Sequence, residues 1–202
     1  MKKILLALFI ALGLQTQAQL WNIQLDTDPT ALGSGLAGVA WTGTEFWCAA
    51  WNSADIYVAD ANGNASTPAS FTINGVTGTR SITTDGTYMY IGTNTSSIYQ
   101  VDPITKTLVS TINTSVANCR YLTFDPTLDS GNGGFWTGEY GSDITAVNMS
   151  GMTLSTISSG THGLTGIYGM AYDGFSLGGP YLWAFDQGGN TADIIQLTIS
   201  GT

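Results

Sequence analysis

The sequence predicts an all-β fold, a β-propeller with four blade repeats, and three observations support this prediction. Of 202 residues, 26 are glycine and 11% are aromatic, and both types are abundant in strands and tight turns. Strong helix formers are scarce, with only two Glu and three Lys. A short sequence pattern also recurs four times, and each copy is followed by the same series of strand-like segments.

Each copy of the repeat opens with an apolar residue of a predicted first strand, at Val39, Ile82, Leu122 and Met170, with spacings of 43, 40 and 48 residues. An apolar and aromatic pair follows, and then a segment rich in β-branched residues, so three strands per repeat are predicted. A fourth, alternating strand closes the first three copies but not the last. Four antiparallel strands every 40 to 45 residues or so are typical of a propeller blade, whereas the alternative is a β-sandwich with coincidental spacing.

The blades are expected at about 37–75, 80–113, 120–158 and 168–202, with the first strand of each innermost. The alternating segment 20–25 precedes them and would supply the outer strand that the fourth blade lacks, closing a four-bladed ring. The other interpretation, which we favour, is an N-terminal fragment of a larger propeller, because the chain stops soon after a third strand.

Residues 1–18 are predicted to be a secretory signal peptide. Lys2 and Lys3 precede an apolar run over 4–14, and Ala18 offers a small residue for cleavage. The run is too short to span a bilayer, which needs about 20 apolar residues. We therefore expect the propeller, 19–202, to be secreted or to lie at the cell surface, without membrane insertion.

The charge balance excludes nucleic acid as a partner. Without residues 1–18 the chain has three basic against 14 acidic side chains, a net charge of −11. DNA and RNA binding depends on basic contacts to phosphates, which this surface repels. A glycan, a peptide or another cell-surface ligand is the expected partner.

Three phrases carry a resemblance to a known group of proteins: GVAWTGTEFW over 38–47, GIYGMAYD over 166–173 and GGPYLWAFDQGG over 178–189. They resemble secreted β-propeller proteins of Bacteroidota that are cargo of the type IX secretion system, and single blades are similar to those of quinoprotein-like, YVTN-like propellers. The resemblance implies export and a propeller fold. It implies no settled activity and no cofactor. Its members usually continue to a C-terminal sorting domain, which supports the fragment interpretation.

The sequence does not indicate a zinc site. His162 is the single histidine and no cysteine pair has the spacing of a zinc finger. We expect His162 to be a solvent-exposed loop residue rather than a catalytic base. Cys48 and Cys119 fall in different blades and are expected to be two buried thiols rather than a disulfide.

A candidate ligand-binding face follows from equivalent positions of the four repeats. The position two residues before the first-strand hydrophobe is Ala37, Arg80, Arg120 or Tyr168. At the same end of the propeller, the loops between second and third strands are expected to present Trp51, Asn94, Tyr140 and Gln187. Guanidinium groups, aromatic rings and amides suit an anionic or sugar-like ligand. The simpler alternative, which we rank ahead, is that Arg80 and Arg120 pair with Asp55, Asp143 or Asp193.

Carboxylates offer two further alternatives. Glu139 and Asp186 occupy equivalent positions of adjacent blades and could act as a general acid and base. Glu45 lies at the other end of its strand and cannot share a substrate with Glu139. Asp55, Asp143 and Asp193 precede third strands and could bind calcium, although turn capping explains them more simply.

The preferred function is a non-catalytic, exported binding module without a cofactor. The alternatives are a hydrolase, lyase or cyclase using Glu139 and Asp186, and a structural spacer within a larger surface protein.

Overall fold

The computed structural model describes residues 32–189 and 192–202. The signal peptide predicted at 1–18 and the strand predicted at 20–25 lie outside the described residues. Fifteen strands in this part of the chain form four antiparallel sheets, three of four strands and one of three. Each sheet is a meander, in which consecutive strands are neighbours.

The first blade contains β1 (Leu36–Trp41), β2 (Phe46–Ala50), β3 (Asp55–Ala59) and β4 (Ala65–Thr72). The second contains β5 (Thr79–Thr84), β6 (Met89–Thr93), β7 (Ser97–Asp102) and β8 (Thr107–Asn113). The third contains β9 (Tyr121–Asp125), β10 (Gly134–Gly138), β11 (Ile144–Asn148) and β12 (Thr153–Ile157). The fourth contains β13 (Ile167–Asp173), β14 (Tyr181–Asp186) and β15 (Asp193–Thr198).

Two single helical turns, α1 (Leu128–Gly131) and α2 (Ser159–His162), complete the regular structure of the described chain. Neither they nor any other helix in the described ranges has the length and apolarity that crossing a bilayer requires.

The sheets are arranged as propeller blades. Strand β1 packs against β5, β5 against β9, and β9 against β13, so the first strand of each blade lies innermost. The all-β propeller with four blade repeats is therefore confirmed, including the three-stranded fourth blade. One strand is longer than predicted: β4 begins at Ala65, five residues before the segment expected from its alternation.

Apolar side chains fill the spaces between successive blades. Trp47 and Met89 belong to the cluster between the first and second blades, Tyr90 and Phe135 to the next, and Trp136 to the third. Because a middle blade is covered on both faces, β6 and β10 are buried at every position. Burial of a large apolar side chain stabilises a fold by about 1.5–3 kcal/mol.

A carboxylate in the turn between first and second strands explains part of the sequence repeat. It accepts backbone N–H bonds within its own turn and one bond from an aromatic side chain of the following strand. The pairs are Asp85 with the Tyr90 hydroxyl at 2.8 Å, Asp125 with the Trp136 indole at 2.9 Å, and Asp173 with the Trp183 indole at 3.1 Å. Glu45 and the Trp47 indole, 2.8 Å apart, take this place in the first blade. The recurring Asp and aromatic residues therefore fix the turn to the sheet.

Candidate functional site

The four equivalent first-strand positions lie at irregularities of the innermost strands. The pairing of β1, β5 and β13 with their neighbours shifts at Ala37, Arg80 and Tyr168, respectively. Arg120 directly precedes β9, and its amide donates to the Gly138 carbonyl at 3.0 Å. A β-bulge changes the direction of its side chain relative to the flanking strand. These residues therefore leave the regular alternation at one end of the propeller.

The loops between second and third strands bring the other predicted residues to the same end. Trp51, Asn94, Tyr140 and Gln187 follow β2, β6, β10 and β14 closely. Tyr140 has a φ of 44°, which is uncommon for a bulky residue and costs free energy. This conformation places its ring centroid 3.9 Å from Cζ of Arg120.

Arg80 is held by two amides and one indole. Its Nε donates to Asn94 Oδ1 at 2.9 Å, and its Nη2 donates to Asn52 Oδ1 at 3.3 Å. Its Cζ lies 3.8 Å from the ring centroid of Trp51, a cation–π contact. The residue is only 6% exposed.

Arg120 shares the same acceptor. Its Nη1 donates to Asn94 Oδ1 at 3.0 Å and lies 3.9 Å from Glu139 Oε1. One amide oxygen therefore holds the two guanidinium groups side by side, and Arg120 is 8% exposed.

The arginines do not pair with the aspartates that precede third strands. Among the described residues, Arg120 forms an ion pair with Glu139 alone, and Arg80 forms none. The alternative that Arg80 and Arg120 pair with Asp55, Asp143 or Asp193 is therefore wrong. The bulge at Arg80, and the position of Arg120 directly before β9, direct the two side chains towards the loop amides and rings instead.

Each arginine keeps one nitrogen without a partner. Nη1 of Arg80 and Nη2 of Arg120 are buried and make no hydrogen bond with any residue that the structure describes. Burial, and then the neighbouring charge of Arg120, lower the pKa of Arg80. The pair is therefore a buried concentration of positive charge, opposed by the single carboxylate of Glu139.

The rings of Trp51 and Tyr140 lie over the arginine pair, and the ring of Tyr168 packs against both of them. Trp51 stacks on Tyr168, with centroids 5.7 Å apart, and Tyr168 meets Tyr140 edge-on at 5.3 Å. This series of contacts links the first, third and fourth blades. Trp51 is 43% exposed and forms the most accessible part of the cluster.

A cavity of about 340 Å³ opens beside these rings, between the first and fourth blades. Its side-chain walls come from Leu36, Ala37, Trp51, Tyr168, Phe185 and Gln187. Ala37 occupies the bulge position at which the other blades carry Arg or Tyr, so its small side chain leaves room for the cavity. Of the seven predicted ligand-binding residues, Trp51, Tyr168 and Gln187 line this cavity. Arg80, Arg120, Asn94 and Tyr140 do not line it, but they are joined to Trp51 and Tyr168 by the contacts described above. We call these seven residues the arginine–aromatic mouth.

The carboxylates of the enzyme alternative have separate partners. Oδ1 of Asp186 accepts the backbone N–H groups of Gly166 at 2.7 Å and Gly188 at 2.9 Å. Glu139 accepts the Asn118 amide and lies near Arg120. No hydrogen bond or ion pair joins Glu139 to Asp186 within the described ranges. Asp186 holds its own loop, and Glu45 lies at the other end of the propeller, 3.0 Å from Lys106 Nζ.

Two aspartates of the calcium alternative have hydrogen-bond partners in the structure. Asp55 accepts the Ser53 hydroxyl at 2.9 Å, and Asp143 accepts the N–H of Ser159, the first residue of α2, at 2.8 Å. The part of the chain that the structure describes contains no group of three or more His, Cys, Asp or Glu side chains arranged around a common metal position.

His162 and the cysteines have structural positions. The prediction of a solvent-exposed His162 is wrong, because the residue is 7% exposed. Its Nδ1 accepts the Leu164 N–H at 3.0 Å, so its Nε2 carries the proton towards the Ser142 carbonyl, 3.1 Å away. Cys48 and Cys119 are both free and buried, as expected, and burial raises the pKa of each thiol.

One member of the site was not predicted from the sequence. Asn52, which accepts from Arg80, has a φ of 56°, a conformation that Asn tolerates better than most residues. Its position directly after Trp51 in a short loop was the available signal. Glu139 was named as a candidate acid, and the structure places it directly after β10, within ion-pair range of Arg120.

Similarity to proteins of known structure supports the fold and indicates no activity for this chain. No protein-family model and no curated protein matches the chain. Hydrazine synthase of Kuenenia stuttgartiensis has a similar structure, with a TM-score of 0.56, 14% identity, and coverage of 90% of this chain and 49% of that chain. Glutaminyl cyclase of Myxococcus xanthus has a TM-score of 0.53 and 12% identity, covering 78% of this chain and 72% of that chain. The fold is a β-propeller. The chain spans about half the length of the hydrazine synthase chain, and identities this low transfer no function.

Proposed function

We propose that the protein is an exported, non-catalytic β-propeller that binds a glycan, a peptide or another cell-surface ligand by an acidic group of that ligand. The binding site is the arginine–aromatic mouth. One observation carries this proposal: beside the rings of Trp51 and Tyr140, Arg80 and Arg120 each keep a buried nitrogen without a partner among the described residues. Buried donors of this kind are costly unless something accepts their hydrogen bonds.

An acidic group suits the mouth because it accepts from both guanidinium groups at once. Hydrogen bonds between ions are about twice as strong as neutral ones. Trp51, as the most exposed ring, is the side chain that turns aside to admit the group. Packing against Tyr168 and Phe185 and hydrogen bonding to Gln187 would then hold the rest of the ligand in the cavity.

The dimensions and charge of the mouth limit the ligand. A cavity of about 340 Å³ is near the lower end of the range for small-molecule pockets, so one sugar or one amino-acid residue fits it. The net charge of −11 on residues 19–202 repels dense polyanions. We therefore propose recognition of a single acidic residue rather than of a highly charged polymer surface.

Titration calorimetry of residues 19–202 tests this proposal with three probes: polygalacturonate, a neutral β-glucan and a short acidic peptide. We expect binding of a carboxylated probe and none of the neutral glucan. The Arg80→Gln/Arg120→Gln variant should bind at least about tenfold more weakly, since each bond to a charged group is worth about 1.5–3 kcal/mol. Lys106→Gln, which removes a cation at the opposite end of the propeller, is the matched control.

Other results would overturn the proposal. Equal binding of neutral and acidic probes, or unchanged affinity in the double arginine variant, would show that the arginines do not recognise the ligand. Turnover of a probe that Glu139→Gln abolishes would support the enzyme alternative instead.

A further inference from the structure

One face of the fourth blade is apolar and uncovered in the described part of the chain. Phe185 and Ile194 lie on it, since they alternate along β14 and β15 with residues that pack against the third blade. A groove of about 450 Å³ lies on this face. Phe185 also lines the cavity beside Trp51 and Tyr168, so the groove borders the mouth.

The position of Ile194 is buried in every other blade. Ile56, Ile98 and Ile144 occupy it in the other third strands and are all 0% exposed, because each packs against the blade that follows. Ile194 is 62% exposed. The first blade does not cover it: no packing comparable to that between β9 and β13 joins β13 to β1 in the described chain, and Val39 of β1 is itself 61% exposed. An exposed apolar face of this kind marks a position at which another segment binds.

The described chain begins beside this groove. Leu32 is 6% exposed and packs with Cys48 on the face of the first blade that is directed away from the second. It lies seven residues before Val39, the first-strand hydrophobe. Residues six positions before the equivalent hydrophobe pack between two blades in each of the other repeats, namely Val76, Val116 and Leu164. In those repeats the residue belongs to the connection that follows a fourth strand.

The length of the connection before Leu32 matches that of a complete blade. Ile157 ends β12, Leu164 lies seven residues later, and both pack in the cluster between the third and fourth blades. Leu25 and Leu32 are also seven residues apart. Leu25 therefore corresponds to the last residue of a fourth strand.

We infer that residues 20–25 of the same chain form the fourth strand of the fourth blade, antiparallel to β15, and cover the groove. Fourth strands are the antiparallel neighbours of third strands in the other three blades. Ile157 lies opposite Ile144 in the third blade, so the matching pair is Leu25 and Ile194. The inference depends on the packing of the blades and not on the ligand proposed above.

The composition of the segment fits this position. Trp21, Ile23 and Leu25 alternate with the polar Asn22 and Gln24, so the three apolar side chains share one face of an extended strand. The register puts that face on the side of the groove. The added strand would also hold the fourth blade beside the first, the two blades between which the cavity of the mouth opens.

Paired cysteines in residues 19–202 test the inference. We expect Leu25→Cys/Ile194→Cys to form an intramolecular disulfide on mild oxidation, because residues opposite each other on antiparallel strands lie within disulfide range. Gln24→Cys/Ile194→Cys is the matched control, because residue 24 falls on the other face of the strand, and it should keep both new thiols. Peptide mass spectrometry identifies the bond, and light scattering measures the mass of the oxidised protein. Equal yields from the two pairs, no disulfide in either, or a disulfide between two copies would overturn the inference.

Hydrogen exchange of the unmodified protein is a second measurement, which does not depend on folding of the variants. Peptides that contain 20–25 should exchange as slowly as those that contain β8 and β12, the outer strands of complete blades, because strand pairing protects backbone N–H groups. Exchange as fast as that of an unstructured peptide would overturn the inference, as would protection that is lost when a dimer is diluted to monomers. Because neither experiment uses a ligand, a failure here is distinguishable from a failure of the proposed function.

Discussion

Replacing Asp125 by Asn should destabilise the propeller by about 3 kcal/mol. The side chain is 2% exposed and its carboxylate accepts three hydrogen bonds. Oδ1 accepts from the Thr127 N–H at 2.8 Å and the Thr127 hydroxyl at 2.7 Å, and Oδ2 accepts from the Trp136 indole at 2.9 Å. Asn keeps one acceptor oxygen, so its NH₂ group must face either the indole N–H or the donors of Thr127.

The magnitude follows from these contacts. The best orientation of Asn keeps the two bonds from Thr127, which become neutral and weaker, and leaves the buried Trp136 N–H without an acceptor. A lost bond to a charged group costs about 1.5–3 kcal/mol, and weakening of the other two adds to it. For a domain of this size, about 3 kcal/mol lowers the midpoint of thermal unfolding by roughly 6–12 °C.

Guanidinium chloride unfolding followed by circular dichroism measures the change in free energy. Asp129→Asn is the matched control, because Asp129 also lies between β9 and β10 and its carboxylate makes no hydrogen bond within the described chain. This variant should change the free energy of unfolding by less than about 0.5 kcal/mol. Trp136→Phe removes the same indole bond from the other side, and the double variant should cost less than the two single changes added together. If Asp125→Asn is no more destabilising than Asp129→Asn, the turn carboxylate does not fix the blade as described.

Three further predictions concern the fold. Gly92→Ala should destabilise by about 3 kcal/mol in denaturant unfolding, since the added methyl group would overlap the Cys119 carbonyl, whereas Gly160→Ala meets no atom closer than 3.9 Å and should be near neutral. The hydroxyl of Ser176 and the Trp183 indole hold the pKa of Asp173 well below its usual range, so its stabilising contribution is complete above about pH 5 and declines as the pH falls. The difference in unfolding free energy between wild type and Asp173→Asn should therefore shrink between about pH 5 and pH 2. Cys48 and Cys119 should react with a thiol reagent such as dithionitrobenzoate only after unfolding, because burial raises the pKa of both thiols. Rapid labelling of the native protein would contradict this prediction.

The blade architecture could be predicted from the sequence, because the residues that determine it are close together in the chain and recur in every blade. Each first strand is followed by a turn carboxylate and then, 2 to 11 residues later, by an aromatic residue, and a hydrogen bond joins the two in the structure, as for Asp125 and Trp136. The length of β4 could not be predicted, because its residues 65–69 lack the alternation of apolar and polar residues that is typical of a half-buried strand. Edge strands pack on few neighbours, so their composition carries less information.

The mouth was predictable to the extent that it follows from repeat positions. Equivalence among blades placed Arg80 next to Arg120 and both beside Asn94, since corresponding residues of adjacent blades lie side by side. The partners of the arginines were not predictable, because a β-bulge decides the direction of the Arg80 side chain and no sequence rule located that bulge. The predicted solvent exposure of His162 was wrong for a related reason. The Gly- and Thr-rich composition of its loop is typical of exposed loops, yet α2 turns the imidazole inward against the Ser142 carbonyl.

In this propeller, the residues that stabilise the fold differ from the residues of the candidate binding site. Residues that pack between blades, such as Trp47 and Phe135, are fully buried, and their replacement would damage the core. The side chains at the four equivalent positions, three of them at bulges and Arg120 directly before β9, leave that packing. Ala37, Arg80, Arg120 and Tyr168 therefore differ in size and charge without changing the blade. Ala37 opens the cavity, Tyr168 forms its wall, and the two arginines supply charge. A radial repeat thus brings four unlike residues to one opening while the sheets that hold them stay alike.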